Sequence, residues 1–158
     1  MFDVIGSYAG DAGPHGKAVS SGGGGLPSVS GGLHSQPVIT IPTSPPPDKL
    51  SVTTLVQGAG PAVSQGQEVV VQYLGEIWAS GKVFDSSWQR DLPSPFPIGN
   101  GDLIPAWDTG LVGVKVGSRV LIVAPPASGY GASGAPNVGI SGSDTLVFVV
   151  DVLGSYNM

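Results

Sequence analysis

The sequence predicts a β-rich α+β domain, one antiparallel sheet with a single short helix, on three observations. Short β-branched or aromatic runs recur from residue 50 onward, each bounded by Gly, Pro, Asn, Asp or Ser. Only the stretch around residues 104–111 has helical spacing, and residues 1–36 have almost no apolar periodicity. The 158 residues include 26 glycines and 15 prolines, more than a quarter of the chain and densest in the first 48 positions. The remaining hundred or so must supply the core, and a domain of that size folds without staples. No cysteine is present to form any.

The elements come in chain order. Residues 1–36 hold Gly22-Gly-Gly-Gly25 and many serines, and read as a flexible or loosely docked arm. Within them Asp3-Val-Ile-Gly-Ser-Tyr8 nearly repeats Asp151-Val-Leu-Gly-Ser-Tyr156, which fits either chance in a Gly/Ser-rich chain or excision from a tandem array. Val38-Ile-Thr-Ile41 is β-branched, and Pro42, Pro45, Pro46 and Pro47 stiffen the chain as far as residue 48 into an extended spacer along the domain or toward another one. The expected division is therefore 1–48 as arm and linker, with the tail of a preceding module as one reading, and 49–158 as the folded domain.

Strands are expected at 51–57, 68–75, 82–86, 95–98, 118–124 and 144–153. In the second, Val69, Val71 and Tyr73 alternate with Val70, Gln72 and Leu74, so one face points inward. Ala79-Ser80-Gly81 then turns the chain back through Phe84-Asp85-Ser-Ser87. A tryptophan at that turn, Trp78, suggests a further contact surface. Pro105 suits a first helical turn, and Ile104, Trp107 and Leu111 form a one-sided stripe before Gly110 and Gly113 end it. So short a helix must pack on the sheet, which makes Trp107 the floor of a hollow begun by Tyr73 and Phe84. Asp85 would put one carboxylate at the lip of that hollow, with less water around it than at an ordinary surface.

Composition removes several function classes. The net charge is −5, and Lys49, Lys82, Arg90, Lys115 and Arg119 are scattered, which argues against nucleic acid or anionic lipid as partner. No run approaches the ~20 apolar residues of a membrane-spanning helix. Met1-Phe2-Asp3 opens without a basic region or apolar core, so no signal peptide is expected. His15 and His34, the only histidines, lie in the arm. A Ser-His-Asp triad or a His-based metal site is thus excluded from the domain, and no cofactor is expected. Asp85 and Asp102 are single carboxylates beside turns, a poor basis for paired acid/base chemistry. Gly129-Tyr-Gly131-Ala-Ser-Gly134 matches a dinucleotide-loop pattern, but Pro125-Pro126 precede it and Pro136 comes after, with no helix to cradle a phosphate. It reads instead as a flap presenting Tyr130. There remains an apolar, aromatic-lined cavity suited to binding. Rotation about an X-Pro bond needs little more: its barrier of ~20 kcal/mol arises from lost amide resonance, and no bond breaks. A pocket that contacts the twisted amide better than either planar form lowers that barrier.

Six blocks carry a family resemblance: Val69-Val-Val-Gln-Tyr73-Leu-Gly75, Gly81-Lys-Val-Phe84-Asp85-Ser-Ser87, Leu103-Ile104-Pro-Ala-Trp107-Asp-Thr-Gly-Leu111, Val116-Gly-Ser-Arg119, Gly129-Tyr130-Gly131 after Pro125, and Thr145-Leu-Val-Phe148. In order and near-fixed spacing over about residues 50–154, they resemble an FKBP-type peptidyl-prolyl cis-trans isomerase of the bacterial kind. The resemblance implies an α+β half-barrel, a twisted antiparallel β-sheet wrapped around one short α-helix. It also implies a pocket in which Trp107 is the floor and Tyr73, Phe84 and Phe148 are walls. Ile104 N–H and the Tyr130 hydroxyl would bond substrate carbonyls, and Asp85, held by Tyr73 and Arg90, would sit near the carbonyl that twists. Arg90, Phe96, Leu103, Ile104, Ile140 and Phe148 would complete the substrate contacts. Ser94 and Ala135 depart from the family pattern, which often has an aromatic wall and a histidine there.

The implied partners are proline-containing unfolded or partly folded proteins and macrolides of the FK506 class, bound by a monomer that assists folding. Two alternatives stay open: a module that binds proline motifs without turnover, and a structural module of a multi-domain envelope protein. For location, the resemblance alone suggests the cell envelope or the extracellular space, against a cytoplasmic alternative.

Overall fold

The computed structural model describes residues 12–157. The near-repeat at Asp3–Tyr8 therefore falls outside the described residues. Nine strands form within them: β1 Gly16–Ala18, β2 Ser28–Ser30, β3 Val38–Thr40, β4 Ser51–Gly58, β5 Gln67–Ile77, β6 Val83–Ser86, β7 Ser94–Pro97, β8 Arg119–Ala124 and β9 Leu146–Asn157. One helix, α1, spans Pro105–Gly110. The six expected strands are all present, with β5 and β9 running longer at their ends than the sequence indicated.

Seven strands make one sheet in the order β1-β4-β8-β9-β5-β6, with β7 also paired to β5, and every pairing is antiparallel. The sheet is open, with β1 and β6 at its edges. Its centre is the long pair β5·β9, in register from Gln67↔Asn157 to Ile77↔Leu146 with a bulge between Val70 and Val71. The other edge of β5 is shared: β7 covers Glu68 to Val71, and β6 covers Leu74 to Glu76. Pro95 and Pro97 are tolerated in β7 because an edge strand need not donate every backbone N–H.

The helix lies on the inner face. Pro105 occupies its first turn, where a missing N–H costs nothing, and Ile104 enters it in an extended conformation. Ala106, Trp107 and Leu111 are buried among Val69, Val71, Tyr73, Ile122, Phe148, Val150 and Val152. The one-sided stripe thus finds its partner on the inward residues of β5, β8 and β9.

The outer face is also covered, which alternation alone did not indicate. Val70, Gln72 and Leu74 are all at most 1% exposed. The arm, expected to be flexible or loosely docked, lies over this face between residues 12 and 41. β1 extends the sheet by pairing with β4, and β2 and β3 form a separate hairpin. Ile39, with Leu26, Val29 and Ile41, packs on Leu55, Leu74, Leu121, Val123, Val147 and Val149. Ser86 Oγ donates to Gln36 Oε1 at 2.7 Å, and the His15 backbone N–H donates to the Gly117 carbonyl at 2.9 Å. Apolar residues spaced along a Gly/Ser-rich chain made no periodic pattern, yet Leu26, Val29, Ile39 and Ile41 meet an apolar surface the sheet supplies, while Val19 and Val38 stay exposed. Trp78, read as exposed at a turn, is 8% exposed and belongs to this second core, so it forms no contact surface.

Candidate active site

A cavity of about 180 Å³ opens between α1 and the inner face of the sheet, lined by Tyr73, Phe84, Asp85, Phe96, Asp102, Leu103, Ile104, Trp107, Tyr130 and Phe148. Each wall comes from a different element. Tyr73 projects inward from the middle of β5, Phe84 and Asp85 from β6, Phe96 from β7, Trp107 from α1, and Phe148 from β9. Tyr130 comes from the connection after β8, between two short turns at Pro126–Ser128 and Gly131–Ser133. That segment contains no dinucleotide loop and no longer helix; as a flap its ends are closed by paired backbone bonds between Ala135 and Ile140.

The rings hold one another edge to face. Trp107 lies 5.1 Å from Tyr73, 5.2 Å from Phe96 and 5.6 Å from Phe148, and Phe84 lies 5.6 Å from Phe148. Such pairs add to simple burial and fix ring orientation. Gly75 makes part of this possible: a Cβ there would stand 2.6 Å from Phe84 Cζ and 3.1 Å from Phe148 Cε1.

Asp85 is bound on two sides. The Tyr73 hydroxyl donates to its Oδ2 at 2.5 Å, and Arg90 Nη1 donates to its Oδ1 at 2.6 Å. Arg90 Nη2 also donates to the Tyr73 hydroxyl at 2.8 Å, and its guanidinium stands 5.5 Å from the Tyr73 ring centre. Burial and the bond to Asp85 push the Tyr73 hydroxyl up to about 12, so it stays a proton donor. Burial, and then the charge of Asp85, raise Tyr130 in the same way. The ring of bonds orients the carboxylate while leaving it at the cavity wall.

Ser87 sets this register. Its Oγ accepts the Tyr73 backbone N–H at 2.8 Å and donates to Gln72 Oε1 at 2.6 Å, and its own N–H donates to the Tyr73 carbonyl at 2.9 Å. Of the two hydroxyls after Asp85, good turn chemistry in the sequence, that of Ser87 ties the end of β6 to β5 at Tyr73, and that of Ser86 bonds Gln36 and the Gln89 N–H.

Besides the buried Trp107 Nε1–H, which has no hydrogen-bond partner, two donors of the cavity lining face none among the described residues. The Ile104 N–H precedes the first helical turn and is unbonded, and the Tyr130 hydroxyl is free on a residue 41% exposed. An apolar cavity with two spare donors and one anchored carboxylate can bind a group that presents carbonyls around an apolar ring.

Of the residues singled out from the sequence, nine line the cavity together. Arg90 stands behind Asp85 rather than in the lining. Ile140 lies outside the lining: it is 2% exposed, packs in the same core cluster as Tyr73, Trp107 and Phe148, and pairs through its backbone with Ala135. Ser94 lies on β7 opposite Val71 and outside the lining, which Phe96 supplies from the same strand. Asp102 was weighed only as half of an acid/base pair, yet it lines the cavity beside Leu103 and Ile104.

A family model described as FKBP-type peptidyl-prolyl cis-trans isomerase matches residues 60–153. The chain belongs to that family. An FK506-binding protein of Streptomyces anulatus is 37% identical over 118 residues, covering 75% of this chain and 95% of its own. A probable FK506-binding protein of Corynebacterium glutamicum is 40% identical over 118 residues, with 75% and 97% covered. The crystal structure of AtFKBP13 superposes with a TM-score of 0.62 at 33% identity, over 69% of this chain and 94% of that one. That of FkpA from Escherichia coli gives 0.62 at 37%, over 68% and 48%. The FKBP fold is therefore an open antiparallel sheet around one short helix here as in those structures. By its description the family is that of FKBP-type peptidyl-prolyl cis-trans isomerases, which are enzymes, and the two bacterial relatives are named for binding FK506.

Proposed function

We propose that this FKBP domain accelerates rotation about X-Pro bonds in unfolded or partly folded proteins by holding the twisted amide in the cavity between α1 and the sheet. The observation that carries the reading is the pairing of a dry aromatic floor at Trp107 with two unpartnered donors, Ile104 N–H and the Tyr130 hydroxyl, on the same cavity. The prolyl ring would rest on Trp107 between Tyr73, Phe84 and Phe148. Backbone carbonyls flanking the ring would accept from Ile104 and Tyr130, which fixes the chain on both sides of the bond that turns.

Twisting the amide removes its resonance, so its carbonyl carbon and nitrogen lose their shared double-bond character. Apolar walls favour this less delocalised form, which is less polar than the planar amide, and they withdraw it from competing water. Asp85, bonded by Tyr73 and Arg90, offers a fixed negative charge near the carbonyl carbon as its electron demand grows. No residue acts as nucleophile and no proton need be transferred. The role in folding comes from the kinetics of the reaction: uncatalysed isomerisation takes tens to hundreds of seconds and limits folding.

Exchange NMR on a short X-Pro peptide tests this reading. The wild-type protein is expected to raise the cis/trans exchange rate, and an Asp85→Ala, Tyr130→Phe double variant to lose most of the acceleration while keeping its amide spectrum folded. Line broadening without acceleration would mean that the cavity binds proline and does not turn it over. An FK506-class macrolide is expected to compete with the peptide for the same cavity.

A further inference from the structure

The cavity carries one charge that isomerisation does not use. Asp102 lines its mouth next to Leu103 and Ile104, is exposed, and has neither hydrogen bond nor ion pair on its carboxylate among the described residues. The two neighbouring carboxylates are engaged. Asp85 holds Arg90 and Tyr73, and Asp108 accepts the Gly99 and Gly101 N–H groups at 2.9 Å each. Those last two bonds pin the loop that carries Asp102 onto α1, with Gly99 at φ +85° and Gly101 at φ +82° supplying its turns. Asp102 is thus placed by its backbone, and its charge is left uncompensated.

No cation offsets it. Of the six basic residues, Arg90 is paired with Asp85 and Arg119 with the buried Asp151, and none of the four lysines lines the cavity. A peptide laid across the mouth passes a single free negative charge beside the Ile104 N–H that would bind its backbone. Over a half-open apolar surface that charge is screened less than in bulk water, and it acts on whatever side chains flank the prolyl pair.

We propose that Asp102 is a specificity-determining residue, selecting X-Pro segments that carry lysine or arginine next to the prolyl pair over those with acidic neighbours. The proposal rests on the isomerase reading of the same cavity and names the substrate class of that site. It makes the enzyme selective without a deeper pocket, because the charge acts on residues outside the cavity.

The test uses three peptides that differ only beside the X-Pro pair, bearing lysine, alanine or glutamate, with kcat/KM measured by exchange NMR on the full chain. At low ionic strength the lysine peptide is expected to exceed the glutamate peptide by about three- to tenfold. The ratio should fall toward one in Asp102→Asn and in about 1 M salt, where the screening length shrinks to ~3 Å. Asp48→Asn, which removes the same charge from an exposed position outside the cavity lining, should keep it. Because the readout is a ratio within each variant, any general loss of activity cancels. A ratio near one in the wild type, or one unchanged by Asp102→Asn, overturns the proposal. Shift titrations with the same peptides separate the two readings. A lysine preference in affinity without any acceleration would refute isomerase activity and leave the charge selection standing, and acceleration without preference would do the reverse.

Discussion

Tyr73 joins the core to the site through one side chain. Its ring packs on Trp107 and Phe96, while its hydroxyl donates to Asp85 and accepts from Arg90. The hydroxyl is pushed up to about 12, chiefly by burial and then by Asp85. In the unfolded chain a tyrosine ionises near pH 10, so between about pH 10 and 12 the folded state holds a proton that the unfolded state has lost. Stability contributed by Tyr73 is therefore complete below pH 10 and is lost as the pH rises to about 12, by at most ~2 kcal/mol. Denaturant titrations at pH 9 and pH 12 are expected to show this loss in wild type and a smaller one in Tyr73→Phe. An equal loss in both would place the alkaline sensitivity elsewhere. The sequence marked Tyr73 for the site through its inward position on an alternating strand, but the closed triangle with Asp85 and Arg90 depends on a fold that brings three chain segments together.

At the scale of elements, β5 is the organiser, because it carries β9 along one edge and both β6 and β7 along the other. Gly75 sits where β6 crosses it, and its missing side chain is filled by the Phe84 and Phe148 rings. Gly75→Ala is expected to displace Phe84, one wall of the cavity, and to cost ~1–3 kcal/mol through overpacking. Peptide KM should rise, with the denaturation midpoint reporting the smaller structural cost; retention of both at wild-type values would mean the two rings yield freely. The helix α1 was legible because Ile104, Trp107 and Leu111 repeat at helical spacing behind a proline. Its function as the cavity floor was legible only because so short a helix must lean on something. The fate of Ile140 was not legible, since a single apolar residue in a Gly/Ser-rich flap has no period to say which way it faces.

At the scale of the molecule, the two faces of the sheet have separate occupants. The inner face holds α1 and the cavity, and the outer face holds the leader from residue 12 to 41 with Ile39 at its centre. The buried pair Arg119–Asp151, at 2.6 and 2.8 Å, lies under this leader, and Arg119 Nη1 reaches the Gly32 carbonyl at 3.4 Å. Water excluded by the leader leaves that pair dependent on its own geometry. Ile39→Ala is expected to destabilise the protein by about 2 kcal/mol, at the low end for a buried isoleucine in a thin layer, while leaving peptide turnover within about twofold of wild type. A parallel fall in turnover would show that the outer layer shapes the cavity through the sheet.

The sequence by itself determined the strands, the one helix, the lack of cysteine in the chain and of histidine in residues 49–158, and nine of the residues that meet at the cavity. It could do so because strand and helix periodicities are local, and because the blocks around Tyr73, Phe84, Trp107 and Phe148 keep their order and spacing. Tertiary structure alone decided that the leader is a layer of the fold, that Trp78 and Ile140 are core, and that Asp102 is the free charge at the cavity mouth. Each of these depends on a surface or a partner supplied by residues far away in the chain, and a residue's own neighbours in sequence carry no record of what will cover it or leave it unpaired.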